Sequence, residues 1–239
     1  MKVIKVKTYE EMSQKAFEVM HEVIVNKPDA VIGLATGTTP LGLYAKMIED
    51  CKNGTDYSKV RTANLDEYKG LPKDHNQSYA YFMKKNLFDG LNIDQKNCNI
   101  ENGMAEDAEA ECKRYDELLD VMPQDIQLLG IGSNGHIAFN EPGTPFGSGT
   151  HVVDLTESTI KDNSRLFNDV SEVPTQAFSM GPKNIMRAKK LLMIVNGKNK
   201  AKAVYEMLYG PVTEKMPASI CTLHPDFTLI VDEEAGSLI

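Results

Sequence analysis

Four short segments carry side chains whose types and spacing could do chemistry. Thr36-Gly37-Thr38-Thr39-Pro40 follows the apolar run 30–35 and leads into helical patterning. A loop between a buried strand and a helix presents free backbone N–H groups and the positive end of the helix dipole. Gly37 permits close approach, so phosphate is the natural guest. The same letters also read as an ordinary helix start capped by Thr39. No nucleotide loop is meant, because G-x-x-x-x-G-K-[ST] and its lysine are absent. The second segment is Asn64-Leu65-Asp66-Glu67-Tyr68, two adjacent acids at the end of a strand. One of them could be a catalytic base pointing into a crevice, and a solvated acidic turn is the competing reading.

The third segment begins Gly130-Ile131-Gly132-Ser133-Asn134-Gly135, a match to G-x-G-x-x-G after a strand, with Asp154 downstream where a ribose-binding acid would stand. A dinucleotide fold needs a helix opening at those glycines, and Pro142, Gly143 and Pro145 forbid one. The informative residues follow: His136 and Glu141 near the carboxyl end of a strand could form a proton-transfer pair, or a structural one. The fourth feature, Arg165 and Lys200, offers cations for a phosphate, among 26 basic residues in all. Zinc is disfavoured, since H-E-x-x-H is absent and His21-Glu22 lacks a second histidine; helix 8–26 presents His21 to solvent or core.

The elements that must position these groups alternate in kind. An N-terminal strand gives way at Thr8, which forms a capping box with Glu11, to a helix whose apolar face is Met12, Ala16, Val19, Met20 and Val23. Strands are predicted over 30–35, 60–65, 126–131, 191–195 and 227–231. Helices are predicted over 40–50, 78–88, 106–121, 184–188 and 198–209. Alternation of this kind implies a mainly parallel sheet covered by helices on both faces, and no linker marks a boundary, so residues 1–239 read as one α/β domain. The Gly- and Pro-rich stretch 140–150 is a candidate lid.

Composition narrows the function classes. The 239 residues carry 26 Lys+Arg against 34 Asp+Glu, a net charge of −8, which disfavours nucleic acid and anionic membranes as partners. No apolar stretch is long enough to span a membrane and the start alternates rather than forming a signal block, so the expected compartment is cytoplasmic. Four cysteines without a C-x-x-C pair read as reduced structural thiols.

Taken together, the strand followed by TGTTP, the LDEY segment, GIGSNGHIAFNEP and the pair Arg165 and Lys200 resemble the glucosamine-6-phosphate deaminase family along nearly the whole chain. The resemblance implies a modified Rossmann-like domain. It also implies conversion of glucosamine 6-phosphate and water into fructose 6-phosphate and ammonium, with no metal and no organic cofactor. On the same grounds Asp66 is the base that moves the C2 proton to C1, and His136, oriented and charged by Glu141, handles the ring-oxygen proton. Thr36, Gly37, Thr38, Thr39, Arg165 and Lys200 surround the 6-phosphate, while Gly130, Ala138 and Tyr79 line the sugar. Tyr79 in a helix could equally be packing.

Two departures from the family pattern matter. Many members carry aspartate where this chain has Asn134, although some shorter members share the amide; Asn134 is expected to position, since an amide accepts no proton. Allosteric members bind N-acetylglucosamine 6-phosphate between subunits through basic and hydroxyl residues just after the active-site loop. Here that stretch is His151-Val152-Val153-Asp154, which implies hyperbolic kinetics and a monomer or weak homo-oligomer. The rival readings are a 6-phosphogluconolactonase, whose lactone hydrolysis needs no C2 base, and a sugar-phosphate-sensing effector domain, which would normally bring a helix-turn-helix.

Overall fold

The computed structural model describes residues 1–155 and 172–239. Every predicted strand and helix is present in the predicted order, with four short strands added among the described residues: β1 (Lys2–Lys5), α1 (Tyr9–Asn26), β2 (Val31–Leu34), α2 (Leu41–Lys52), β3 (Arg61–Asn64) and β4 (Asp66–Tyr68) come first. There follow α3 (Tyr79–Asn86), β5 (Cys98–Asn99), α4 (Ala108–Val121), β6 (Ile126–Leu129), β7 (His151–Asp154), β8 (Gln176–Ser179), α5 (Pro182–Ile185), β9 (Leu191–Val195), α6 (Ala201–Tyr209) and β10 (Phe227–Val231). Single-turn 3₁₀ segments extend two of the predicted helices, at Phe88–Gly90 beyond α3 and at Lys198–Lys200 before α6. The short helix predicted over 184–188 begins two residues earlier, with Pro182 in its first turn, where a missing N–H costs nothing.

Seven strands form one parallel sheet in the order β1-β10-β9-β6-β2-β3-β5, with helices flanking it. Its central strands are buried along their whole length and, but for Gln127 and Thr228, apolar, as double coverage requires. Register places Leu34 beside Asn64 and Leu129 beside Met193. The carboxyl ends of β2, β3, β6 and β9 therefore finish along one edge, the place where parallel α/β sheets build their sites.

The N-terminal helix shows the expected cap in a modified form. The Glu11 N–H donates to Thr8 Oγ1 at 3.2 Å, while the Glu11 carboxylate reaches back one residue further than a capping box, accepting from the Lys7 N–H at 2.8 Å. The His21 ring packs beside Phe17, and its Nδ1 lies 3.1 Å from Asp50 Oδ2.

Beyond the edge strand β5, the patterning did not foresee a second sheet, antiparallel, in the order β4-β8-β7. It pairs Asp66 with Ser179 and His151 with Ser179. A three-residue strand such as β4 has too few side chains to show alternation, and its partner arrives more than a hundred residues later, so local patterning is silent about both. Tyr68, Leu71, Leu155 and Ala177 make a small apolar cluster there, against which Tyr79 and Phe139 pack.

Candidate active site

A cavity of about 310 Å³ opens at the carboxyl edge of the central strands. The chain leaving β2 supplies Thr36 to Thr39, the chain leaving β3 supplies Leu65 and Asp66, and the chain leaving β6 supplies Gly130, Ile131, Gly132, His136, Ala138 and Phe139. Tyr79 enters from α3 and Lys200 from the segment after β9. Every expected site residue among those described stands on this wall except Asn134 and Glu141, which sit behind His136. Arg165 lies outside the described residues.

The loop after β2 is held from several sides. Gly37 has φ +103°, a left-handed conformation that suits glycine. Tyr44 of α2 donates its hydroxyl to the Ala35 carbonyl, and the Tyr9 hydroxyl of α1 accepts the Gly42 N–H at 2.7 Å. The reading of Thr39 as a helix cap is corrected here. The residue at the cap position of α2 is Pro40, with no side-chain cap, and Thr39 Oγ1 instead donates to Asn196 Oδ1 at 2.8 Å beyond β9. The first N–H groups of α2 are taken, Leu41 by the Thr38 carbonyl and Gly42 by the Tyr9 hydroxyl, so an anion would meet the N–H groups of the loop itself, residues 36–39. Lys200, half-buried, has no carboxylate partner among the described residues, and burial pulls its ammonium below the usual lysine range. Such a cation gains most from an incoming phosphate.

Asp66 is 7% exposed, and none of the described residues donates a hydrogen bond to its carboxyl. Burial, and then the charge of Glu67, pushes it up to about 8. The acidic-turn reading thus gives way to a buried pair in which strand alternation sends Asp66 to the cavity and Glu67 away from it.

His136 reaches the cavity through a tight turn in which the Gly132 N–H donates to the His136 carbonyl at 2.9 Å. A Cβ at Gly132 would come within 2.4 Å of the imidazole, so this glycine makes room for the ring. No helix opens between residues 130 and 150, in line with the rejection of dinucleotide binding. His136 Nδ1 lies 3.0 Å from Glu141 Oε1, without the alignment of a full hydrogen bond. Asn134 uses both ends of its amide: Nδ2 donates to Glu141 Oε2 at 2.6 Å, and Oδ1 accepts the His136 N–H at 3.2 Å. An aspartate could not donate to Glu141. His136, against the opposing effect of burial, and Asn134 hold the Glu141 carboxyl below the usual range.

Ala138 carries φ +52°, a strained conformation for a residue with a Cβ, costing about 1 kcal/mol. Asn140 over-determines it by donating to the carbonyls of Ile137 at 2.8 Å and Met180 at 2.9 Å. Tyr79 combines both of its expected roles: it lines the cavity while its ring stacks on Phe139 at 6.2 Å and lies 4.6 Å from Tyr68. Phe139 itself was not singled out in the sequence, although it lies inside the segment that drew attention. The 140–150 stretch contributes nothing to the cavity wall. It is stitched down instead, Gly143 and Phe146 donating to Glu214 and Thr150 to Asp116.

A parallel α/β sheet that gathers a glycine-bearing loop with open N–H groups, a buried carboxyl near neutrality and a histidine–carboxylate pair along one edge defines an acid–base enzyme. The chain belongs to the glucosamine-6-phosphate isomerases/6-phosphogluconolactonase family, which matches residues 5–229. It is 52% identical over 241 residues to a glucosamine-6-phosphate deaminase of Thermoanaerobacter pseudethanolicus, covering 100% of this chain and 95% of that protein. A Clostridium novyi protein of the same name is 49% identical, with 99% of each covered. Among solved structures, a monomeric glucosamine-6-phosphate deaminase superposes with a TM-score of 0.96 at 46% identity, both chains covered completely. A 6-phosphogluconolactonase from Trypanosoma brucei superposes at 0.81 with 19% identity, covering 99% of this chain and 97% of that one, and shares the fold.

Proposed function

We propose that this protein is a glucosamine-6-phosphate deaminase acting as one domain over residues 1–239, releasing ammonium from glucosamine 6-phosphate and yielding fructose 6-phosphate. The observation that carries the reading is the buried Asp66 carboxyl on the wall shared by the phosphate-type loop and His136. Lactone hydrolysis has no use for a base at C2, whereas isomerisation requires one. Identities near 50% to proteins of that name support the same choice.

In this reading the 6-phosphate rests on the N–H groups of residues 36–39 with Lys200, and Arg165 joins them. His136, oriented by Glu141 and Asn134, carries the proton that the ring oxygen gains as the C1–O5 bond breaks. Asp66 then takes the proton from C2 and returns it to C1, while the C1 carbonyl oxygen takes up a proton. The C–N bond becomes an imine at C2; water adds there and ammonia leaves, so one water is consumed for each ammonium formed. A carboxyl titrating near neutrality suits this shuttle, because it gives and takes a proton at little cost. Gly130 leaves open space at the wall, a Cβ there meeting no atom within 4 Å.

Val153 and Asp154 on β7, the latter accepting from Gln176 at 2.8 Å, offer nothing to hold a phosphate, which supports a non-allosteric enzyme with hyperbolic kinetics. The monomeric solved relative supports a monomer or weak homo-oligomer. No described helix is long and apolar enough to cross a membrane, and action in the cytoplasm, without nucleic acid or membrane partners, completes the reading. The deciding experiment measures ammonium and fructose 6-phosphate released from glucosamine 6-phosphate after exhaustive chelation. Equal formation of both is expected. Opening of 6-phosphogluconolactone without ammonium release would replace the reading with the lactonase.

A further inference from the structure

Glu67 takes no part in the steps above, yet it is 1% exposed and accepts three backbone hydrogen bonds. Its Oε1 accepts the N–H groups of Tyr68 at 2.7 Å and Tyr79 at 2.9 Å, and its Oε2 accepts the Ala80 N–H at 2.8 Å. Tyr79 and Ala80 open α3, where N–H groups have no partner within the helix. The ordinary cap of that helix is already present, Ser78 Oγ accepting the Tyr81 N–H at 3.0 Å. Glu67 therefore adds something a cap does not: it ties the first turn of α3 to β4, the strand that begins with Asp66.

We propose that Glu67 is a positioning residue of the reaction, its carboxylate clamping α3 to β4 so that Tyr79 is fixed over the cavity and Asp66 is held at its wall. This rests on the deaminase reading. The two residues placed by the clamp both stand on the cavity wall, where the deaminase reading puts the sugar.

The clamp also has an electrical side. Around the Asp66–Glu67 pair stand Glu101 after β5, Glu111 and Tyr115 on α4, Tyr44 on α2 and Tyr79 on α3, with Lys200 and His136 across the cavity. Both Glu101 side-chain oxygens are buried without a hydrogen-bond partner among the described residues, and burial raises that carboxyl well above its usual range. Glu67 is pushed up to about 7 by burial but is drawn back by its three N–H donors. It is the neighbouring charge to which Asp66 responds.

Glu67→Gln tests this, because glutamine keeps the shape but turns an N–H₂ toward one of the three N–H donors. We expect kcat to fall about 10- to 100-fold with KM for glucosamine 6-phosphate within about 3-fold, since the phosphate loop is untouched. The acid limb of kcat/KM should move to lower pH by about half a unit or more, because a negative charge beside the base is gone. A folded variant with unchanged kcat and an unchanged acid limb would overturn the proposal. Should the variant fail to fold, the unaltered protein still decides: the Tyr79 and Ala80 amide protons should resist exchange and shift as a carboxylate titrates. Freely exchanging amides blind to that titration would refute the clamp. Absence of ammonium release by the unaltered protein would sink the deaminase reading itself, while the amide readout judges the clamp without substrate.

Discussion

Asp66 and Glu141 serve the same cavity, yet their surroundings push their carboxyl groups in opposite directions. Asp66 is largely buried, receives no hydrogen bond from the described residues and has a neighbouring acid, so it rises to about 8. Glu141 is half-buried but faces an imidazole and receives an amide N–H from Asn134, so it falls below its usual value. One residue class thereby yields a group able to exchange a proton near neutrality and another that stays anionic behind a histidine. Two titratable environments pushed apart are how one site obtains both kinds of acid–base partner.

The comparison can be broken most directly at Asp66. Asp66→Asn removes the shuttle and leaves the phosphate contacts, so turnover should drop by about 10³-fold or more while glucosamine 6-phosphate still binds. Steady-state rates together with calorimetric binding would check this, and full activity would end the assignment. On the other side of the pair, His136→Gln should lower kcat by about 10²-fold, since one proton transfer among several is affected. A loss confined to KM would instead make His136 a binding residue.

A milder change sharpens the contrast. Asn134→Ala leaves Glu141 without its amide donor but keeps the imidazole contact, so kcat should fall only about 3- to 10-fold, as for loss of one hydrogen bond to a charged group. A loss as large as that from His136→Gln would show that Asn134 does more than position.

The smallest expected effect is on stability, and the two carboxyls should give it opposite signs. Asp66 and Glu67 hold protons in the folded state at pH values where the unfolded chain has lost them, so their contribution falls as pH rises from about 4 to about 8. Glu141 binds its proton less readily folded than unfolded, so its contribution is present above the unfolded carboxylate range near 4 and is lost as pH falls through its lower folded value. Urea denaturation at a series of pH values should show the decline toward pH 8 in the unaltered protein and a flatter profile in Asp66→Asn. Equal slopes would mean that Asp66 is not held protonated.

Much of this arrangement was legible from local patterns. The runs that became β2, β6, β9 and β10 have the near-continuous hydrophobicity of strands covered on both faces, broken only by Gln127 and Thr228, and Pro40, Pro142 and Pro145 punctuate where the backbone demands it. The segments around Asp66 and His136 could be placed at strand ends because parallel sheets gather their loops there. Less legible were the roles inside those segments. Thr39 reads as a cap by type and position, yet its hydroxyl is taken by Asn196, more than 150 residues away in sequence. Nothing in Asp66-Glu67 tells which acid faces the cavity, since both are equally polar and the strand that sorts them is only three residues long.

The amino-acid sequence by itself determined the α/β class, the anion-ready loop and the set of residues able to move protons, because these follow from residue type and short-range spacing. Only the tertiary structure decided what each carboxyl does. A pKa depends on burial, on donors and on neighbouring charge, and those are supplied by strands β4 and β8, helix α3 and an amide at Asn134 whose packing no local pattern encodes. The same distance in sequence that hides β8 from Asp66 is what lets a buried sheet enclose that carboxyl and raise it toward neutrality.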